Sequence, residues 1–194
     1  MSHPILEQET SNQKLETVKG FVFDVDGVLT DGTVLALASG EQVRAFHIHD
    51  GLAIRYAIEM GYRVGIISGR LEAGVRRRLH SLDITDDNLF LGVADKVKVL
   101  TEWAARHGLR LAELAYMGDD LPDLAAMRRC GVATCPADAV PDIRARAAWV
   151  SSRGGGRGAV RELIETVLKA HGRWLPLDEG ETAVEGAAND APAG

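Results

Sequence analysis

The sequence predicts a doubly wound, parallel α/β sheet with a projecting β-hairpin. Three observations carry that prediction. The run Phe21-Val22-Phe23 is apolar without alternation and stops at acids, as a strand covered on both faces does. Strand-like and helix-like segments then take turns along the chain, which requires parallel strands joined by right-handed crossovers. Three core strands end in polar groups, at the edge of the sheet where open α/β folds gather their ligands.

Residues 1–17 are polar and aperiodic and read as a mobile arm, with the folded body expected over 18–174. The first strand covers residues 20–24. Residues 33–37 and 42–48 flank the turn signal Ser39-Gly40 and predict a hairpin beside the strand end. Its apolar content exceeds what a solvated flap needs, so a partner chain is expected to cover it. Asp50-Gly51 opens a helix over 52–60, stopped by Gly61. A second core strand over 63–67 ends in Ser68-Gly69-Arg70. Residues 72–82 have helical spacing, 88–91 make a short strand, and 94–107 a helix with Lys96 in its first turn. The strand over 114–117 runs into Gly118-Asp119-Asp120-Leu121-Pro122-Asp123. A short helix over 124–129, a strand over 131–134, a helix over 139–148 and a last helix over 159–171 complete the pattern. Taken by itself, the glycine-rich 154–158 reads as a flexible linker. Residues 175–194 are mostly glycine, alanine and acids with little to bury, and predict a disordered acidic tail.

At 194 residues the chain suits one α/β domain. The net charge is −6, but the segment after Arg173 holds five acids and no Lys or Arg, so the body is close to neutral. No basic footprint for nucleic acid exists. No window approaches a membrane span and the start lacks an apolar leader core, which predicts a cytoplasmic protein. Cys130 and Cys135 lack redox or zinc spacing and read as reduced packing residues.

Asp24 and Asp26 stand together with no base beside them in sequence. Such a pair favours either a bound cation or a raised pKa, and a hard divalent ion with oxygen ligands suits Mg²⁺. If the sheet places its strand ends side by side, Asp24, Asp26, Ser68, Lys96 and Asp119 supply a nucleophile, a proton shuttle, a hydroxyl donor, a cation and a metal ligand. Phosphoryl transfer needs that set, because its transition state is positioned and neutralised more than covalently assisted. Asp120 and Asp123 would orient the metal or Lys96 from behind, or merely favour a helix dipole. The lesser alternative for Ser68 is a mere helix cap. His47 and His49 share a strand face without a third metal ligand nearby and read as flap or interface residues. Arg76, Arg77 and Arg78 read as a solvated helix face, from which Arg78 is set apart.

In order, Asp24-Val25-Asp26-Gly27-Val28, Ser68-Gly69-Arg70, Lys96 and Gly118 through Asp123 resemble the four motifs of the haloacid dehalogenase (HAD) phosphotransferase superfamily. More narrowly, residues 19–171 resemble the 3-deoxy-D-manno-octulosonate 8-phosphate (Kdo 8-phosphate) phosphatase family, in the stretches 24–32, 46–51, 118–123 and 155–162. The resemblance implies a HAD-like Rossmannoid fold with no cap domain, since 31–68 and 96–119 leave room only for a hairpin and a helix. It implies Asp24 as nucleophile, Asp26 as acid/base and backbone-carbonyl metal ligand, and Asp119 as metal ligand for Mg²⁺. Ser68, Gly69 and Lys96 would hold phosphate, with Arg70, Arg78 and Arg157 as basic residues near a sugar-phosphate substrate. It further implies a homotetramer, with hairpin 33–48 at the interface and the glycine-rich C-terminal part near a neighbouring active site. The chain departs from the family at Phe90-Leu91-Gly92-Val93, where a polar residue often precedes the glycine, and at His47 and His49. Relatives acting on nine-carbon acid sugar 9-phosphates and an inactive oligomeric scaffold are the alternatives.

Overall fold

The structure, a computed structural model, describes residues 14–174. Most of the expected arm and the expected acidic tail over 175–194 lie outside the described residues. At the arm's inner end, Leu15 and Val18 are buried in the core, so the packed body begins a few residues earlier than residue 18.

Six parallel strands form one sheet in the order β5-β4-β1-β6-β7-β8, built from β1 (Gly20–Phe23), β4 (Arg63–Ser68), β5 (Leu89–Leu91), β6 (Leu114–Met117), β7 (Val132–Cys135) and β8 (Trp149–Val150). β1 pairs with β4 on one side and β6 on the other, with Phe23 level with Ile66 and Met117. It is therefore covered at both edges as well as both faces, which is why its sequence is apolar throughout. Phe21 and Phe23 face a core that includes Ile54, Ile66, Leu163, Ile164 and Val167. Val22 faces the opposite core with Ile67, Leu100, Trp103 and Tyr116. The first core is closed by helices α1 (Ile48–Glu59) and α6 (Ala159–Ala170), and the second by α3 (Lys96–Arg106), α4 (Leu124–Met127) and α5 (Pro141–Arg144). Burying a Phe or Leu side chain contributes about 1.5–3 kcal/mol, so these two layers fix the sheet before any polar group is counted. Among the described residues no helix is long and apolar enough to cross a membrane.

The expected hairpin is present but shorter, reduced to β2 (Leu35–Ala36) and β3 (Gln42–Val43). Among the described residues none covers its apolar side chains: Val34, Leu35, Leu37 and Val43 are exposed. Residue 48 belongs to α1, not to the hairpin's second strand, because the helix begins four residues before the position expected. The misplacement has a cause in Asp50, which reads as a turn residue before Gly51. It lies instead in the first turn of α1, 1% exposed, accepting the backbone N–H groups of Gly158 and Arg161. One helix thus caps another. Burial raises the Asp50 pKa, and those two N–H bonds oppose the rise. The remaining helix α2 (Ala73–His80) and helix α5 are shorter than their apolar spacing suggests.

The glycine-rich stretch is not a linker. A Cβ on Gly155 would lie 1.9 Å from the Gly27 carbonyl oxygen, while Gly155 N–H donates to Asp138 Oδ1 at 2.9 Å and Gly156 N–H to the Val28 carbonyl at 2.9 Å. This segment buttresses the loop after β1 from behind, within its own chain.

Candidate active site

The loop after β1 starts where the sheet register ends. Asp24 N–H still donates to the Met117 carbonyl at 3.1 Å, after which the N–H groups of Val28, Leu29 and Thr30 all turn back onto the Val25 carbonyl. Gly27 has φ of 81°, and a Cβ there would sit 2.0 Å from Asp119 Oδ2, so only glycine lets the β1 and β6 loops meet. At β4 the strand delivers Ser68, 2% exposed, whose Oγ accepts the Arg70 N–H at 3.3 Å. After β6, Asp120 caps a 3₁₀ turn (Leu121–Asp123) by accepting the Leu121 N–H at 2.7 Å.

These loops enclose a cleft of about 600 Å³ that brings together Asp24, Asp26, Ser68, Gly69, Arg70, Lys96, Asp119, Asp120 and Asp123. Lys96, at the first position of α3, is buried with its ammonium 3.1 Å from Asp24 Oδ2 and 2.7 Å from Asp123 Oδ1. Burial opposes charge on this lysine, but the two carboxylates outweigh it and hold its pKa above the ordinary value. Asp123 also accepts from Tyr116 Oη at 2.9 Å and from the Asp119 N–H at 3.2 Å. With three donors already on it, its carboxylate orients Lys96 and the Asp119 backbone. Asp120 is exposed and committed to its own turn, so it orients neither.

Asp24 keeps one oxygen for Lys96, whereas its Oδ1 is buried without a hydrogen-bond partner. Carboxylate oxygens of Asp24, Asp119 and Asp123 lie within 4.8 Å of one another. Burial, reinforced by Asp123, raises the Asp24 pKa to about 6, and burial with Asp123 and Asp24 raises that of Asp119 to about 7. Two buried carboxylates of raised pKa, one with an unpartnered oxygen, suit a hard divalent cation, whose charge would reverse both shifts. The donor set therefore fits Mg²⁺.

Arg70 lines the cleft, but Arg78 and Arg157 do not. Arg78 lies on an adjoining hollow of about 390 Å³ beside the hairpin, with one guanidinium nitrogen 2.8 Å from where a Cβ on Gly51 would be. Arg157 is exposed and reaches Asp31 at 3.4 Å. His47 and His49 stack edge to face in another hollow with Arg153 and Arg161, apart from the acid cluster. Two residues of the site have no signal in the sequence. Tyr116 reads only as strand filling, and Arg44 only as the polar member of an alternating hairpin; its guanidinium grips Asp26.

No protein-family model matches the chain. It is 38% identical over 169 residues to the 3-deoxy-D-manno-octulosonate 8-phosphate phosphatase KdsC of Haemophilus influenzae, covering 87% of this chain and 93% of that protein. Among solved structures it is similar to the 3-deoxy-D-manno-octulosonate 8-phosphate phosphatase of Moraxella catarrhalis in complex with magnesium ion, phosphate ion and a KDO molecule. The TM-score is 0.80 at 36% identity, covering 84% of this chain and 92% of that one. The cobalt-bound deoxy-D-mannose-octulosonate 8-phosphate phosphatase of Haemophilus influenzae matches with a TM-score of 0.79 at 38% identity, over 82% of this chain and 92% of that one.

Proposed function

The chain belongs to the 3-deoxy-D-manno-octulosonate 8-phosphate phosphatase family of HAD hydrolases, and on that premise we propose that it hydrolyses Kdo 8-phosphate to Kdo and inorganic phosphate, with Mg²⁺, through an aspartyl phosphate on Asp24. The observation that carries this reading is the meeting of Asp24, Ser68 and Asp119, at the ends of the adjacent strands β1, β4 and β6, with Lys96 at the start of α3.

Ser68 Oγ, the Gly69 backbone and the Lys96 ammonium bind the phosphoryl oxygens and hold phosphorus in line with the Asp24 carboxylate. An Asp24 oxygen attacks phosphorus as the bond from phosphorus to the sugar oxygen breaks. Asp26 gives its proton to that departing oxygen, releasing the sugar as an alcohol. Asp26, now a carboxylate, takes a proton from water whose oxygen attacks the aspartyl phosphate; the bond from phosphorus to Asp24 breaks, and phosphate leaves with both residues restored. Asp24, Asp119 and the Asp26 backbone carbonyl would hold the Mg²⁺, which neutralises phosphoryl charge when bound. Lys96 and Asp123 keep Asp24 fixed throughout.

Within one chain the cleft is open, and Val34, Leu35, Leu37 and Val43 of the hairpin and Ile48 and Leu52 of α1 are exposed. We place the hairpin at the interface of a cytoplasmic homotetramer whose neighbouring subunit completes sugar selection, in the synthesis of a lipopolysaccharide precursor. The test is phosphate release with Mg²⁺ from Kdo 8-phosphate, a nine-carbon acid sugar 9-phosphate and an aryl phosphate, compared as kcat/KM. A strong preference for Kdo 8-phosphate is expected. Preference for the nine-carbon ester would reassign the substrate, and turnover of none would leave a scaffold.

A further inference from the structure

Arg44 is a hairpin residue with a buried side chain. It lies one position beyond β3, among exposed neighbours, yet its side chain is 3% exposed because the guanidinium turns into the wall of the cleft. Its Nε donates to Asp26 Oδ1 at 2.6 Å and its Nη2 to Asp26 Oδ2 at 3.3 Å, with Gln42 Oε1 at 3.4 Å from Nη2. No other side chain hydrogen-bonds the Asp26 carboxylate among the described residues. Nη1 is buried without a partner.

A fork that takes both oxygens of a carboxylate fixes its rotation as well as its place, which a single lysine-like contact does not. Each Asp26 oxygen retains a second lone pair, so the grip leaves room for a proton in transit. Asp26 otherwise stands on a turn with nothing to choose its side-chain direction. We propose that Arg44 is a positioning residue for Asp26, aiming its carboxyl at the oxygen that leaves phosphorus, so that the hairpin is part of the catalytic apparatus as well as a subunit contact. The inference rests on reading Asp26 as the acid/base group.

Proton delivery matters for a sugar alcohol, a poor leaving group, and little for a nitrophenolate, a good one. The first-turnover rate of alcohol release separates these cases. It is to be measured with Mg²⁺ on Kdo 8-phosphate and p-nitrophenyl phosphate for wild type, Arg44→Ala, Arg44→Lys, Asp26→Asn and the double variant Asp26→Asn/Arg44→Ala. Arg44→Ala should slow release of the sugar by about tenfold or more, a part of the roughly 10²–10⁴-fold that positioned proton transfer contributes, but that of nitrophenol by less than about threefold. Arg44→Lys should recover only part of the loss, since it restores charge without the fork. In the Asp26→Asn background, removing Arg44 should cost nothing further.

Equal losses on both substrates, or losses that add in the double variant, would mark Arg44 as structural and overturn the proposal. So would an Arg44→Ala enzyme as fast as wild type on the sugar ester. If Asp26→Asn itself leaves sugar release intact, the acid/base reading fails and Arg44 falls with it; if Asp26→Asn is slow and Arg44→Ala is not, only the Arg44 role is lost.

Discussion

Replacing Lys96 by Met keeps the length of the side chain and removes its charge from between Asp24 and Asp123, 3.1 and 2.7 Å away. Both carboxylates are buried, and the Asp24 pKa stands at about 6 even with the ammonium present. Removing one partner of a buried ion pair costs about 3–5 kcal/mol, because the remaining charge has neither water nor a counterion. For a domain of this size that lowers the melting temperature by roughly 6–20 °C. The penalty depends on ionisation. At pH 8 Asp24 must be charged and the full cost applies, whereas at pH 5 it is already largely protonated in the wild type, so the difference should shrink. A divalent cation supplies the missing charge and should return part of the lost stability at pH 8. Thermal melts by circular dichroism of both proteins at pH 5 and 8, with and without Mg²⁺, test each step. A loss independent of pH and of Mg²⁺ would show that Lys96 acts through packing, and would refute the electrostatic account of the site.

Other expectations follow from the same geometry. In the metal-free wild type, Asp24 and Asp119 are held at about 6 and about 7 against an ordinary value of 3.8, burial being the main cause of both. A raised carboxyl pKa means that the folded state keeps its protons longer than the unfolded state, so this contribution to stability is complete below pH 4 and lost as the pH climbs through 6 and 7. The metal-free melting temperature should fall between pH 5 and pH 8. Mg²⁺ should raise it more at pH 8, by an amount equivalent to about 2.7 kcal/mol at one hundred times its dissociation constant, and equal gains at both pH values would count against carboxylate ligands. Gly155→Ala should destabilise by about 1–3 kcal/mol and lower kcat, since its methyl would meet the Gly27 carbonyl 1.9 Å away and push the loop that carries Asp26. A variant that melts and turns over like wild type would show that the glycine-rich segment does not support that loop.

The sequence alone determined the parallel sheet and the acids at its strand ends. Phe21-Val22-Phe23 is apolar because both faces are covered, and burial of that kind is written directly into residue type. The order of Asp24, Ser68, Lys96 and Asp119 along the chain was likewise legible, because each stands at the end of a predicted element. Local signals failed where a residue serves something distant in sequence. Asp50 resembles a turn acid, yet it caps a helix that starts 109 residues later, at Ala159. Gly154 to Gly158 resembles a linker, yet its lack of side chains is what lets it lie against the loop of Gly27. Arg78 and Arg157 share a basic character with Arg70, but only Arg70 lines the cleft. Tyr116 and Arg44 joined the site only when the fold turned a strand hydroxyl toward Asp123 and a hairpin guanidinium toward Asp26. Periodicity and residue type record whether a side chain is buried, but which charge it meets there is decided by the sheet order, which sets β4, β1 and β6 side by side.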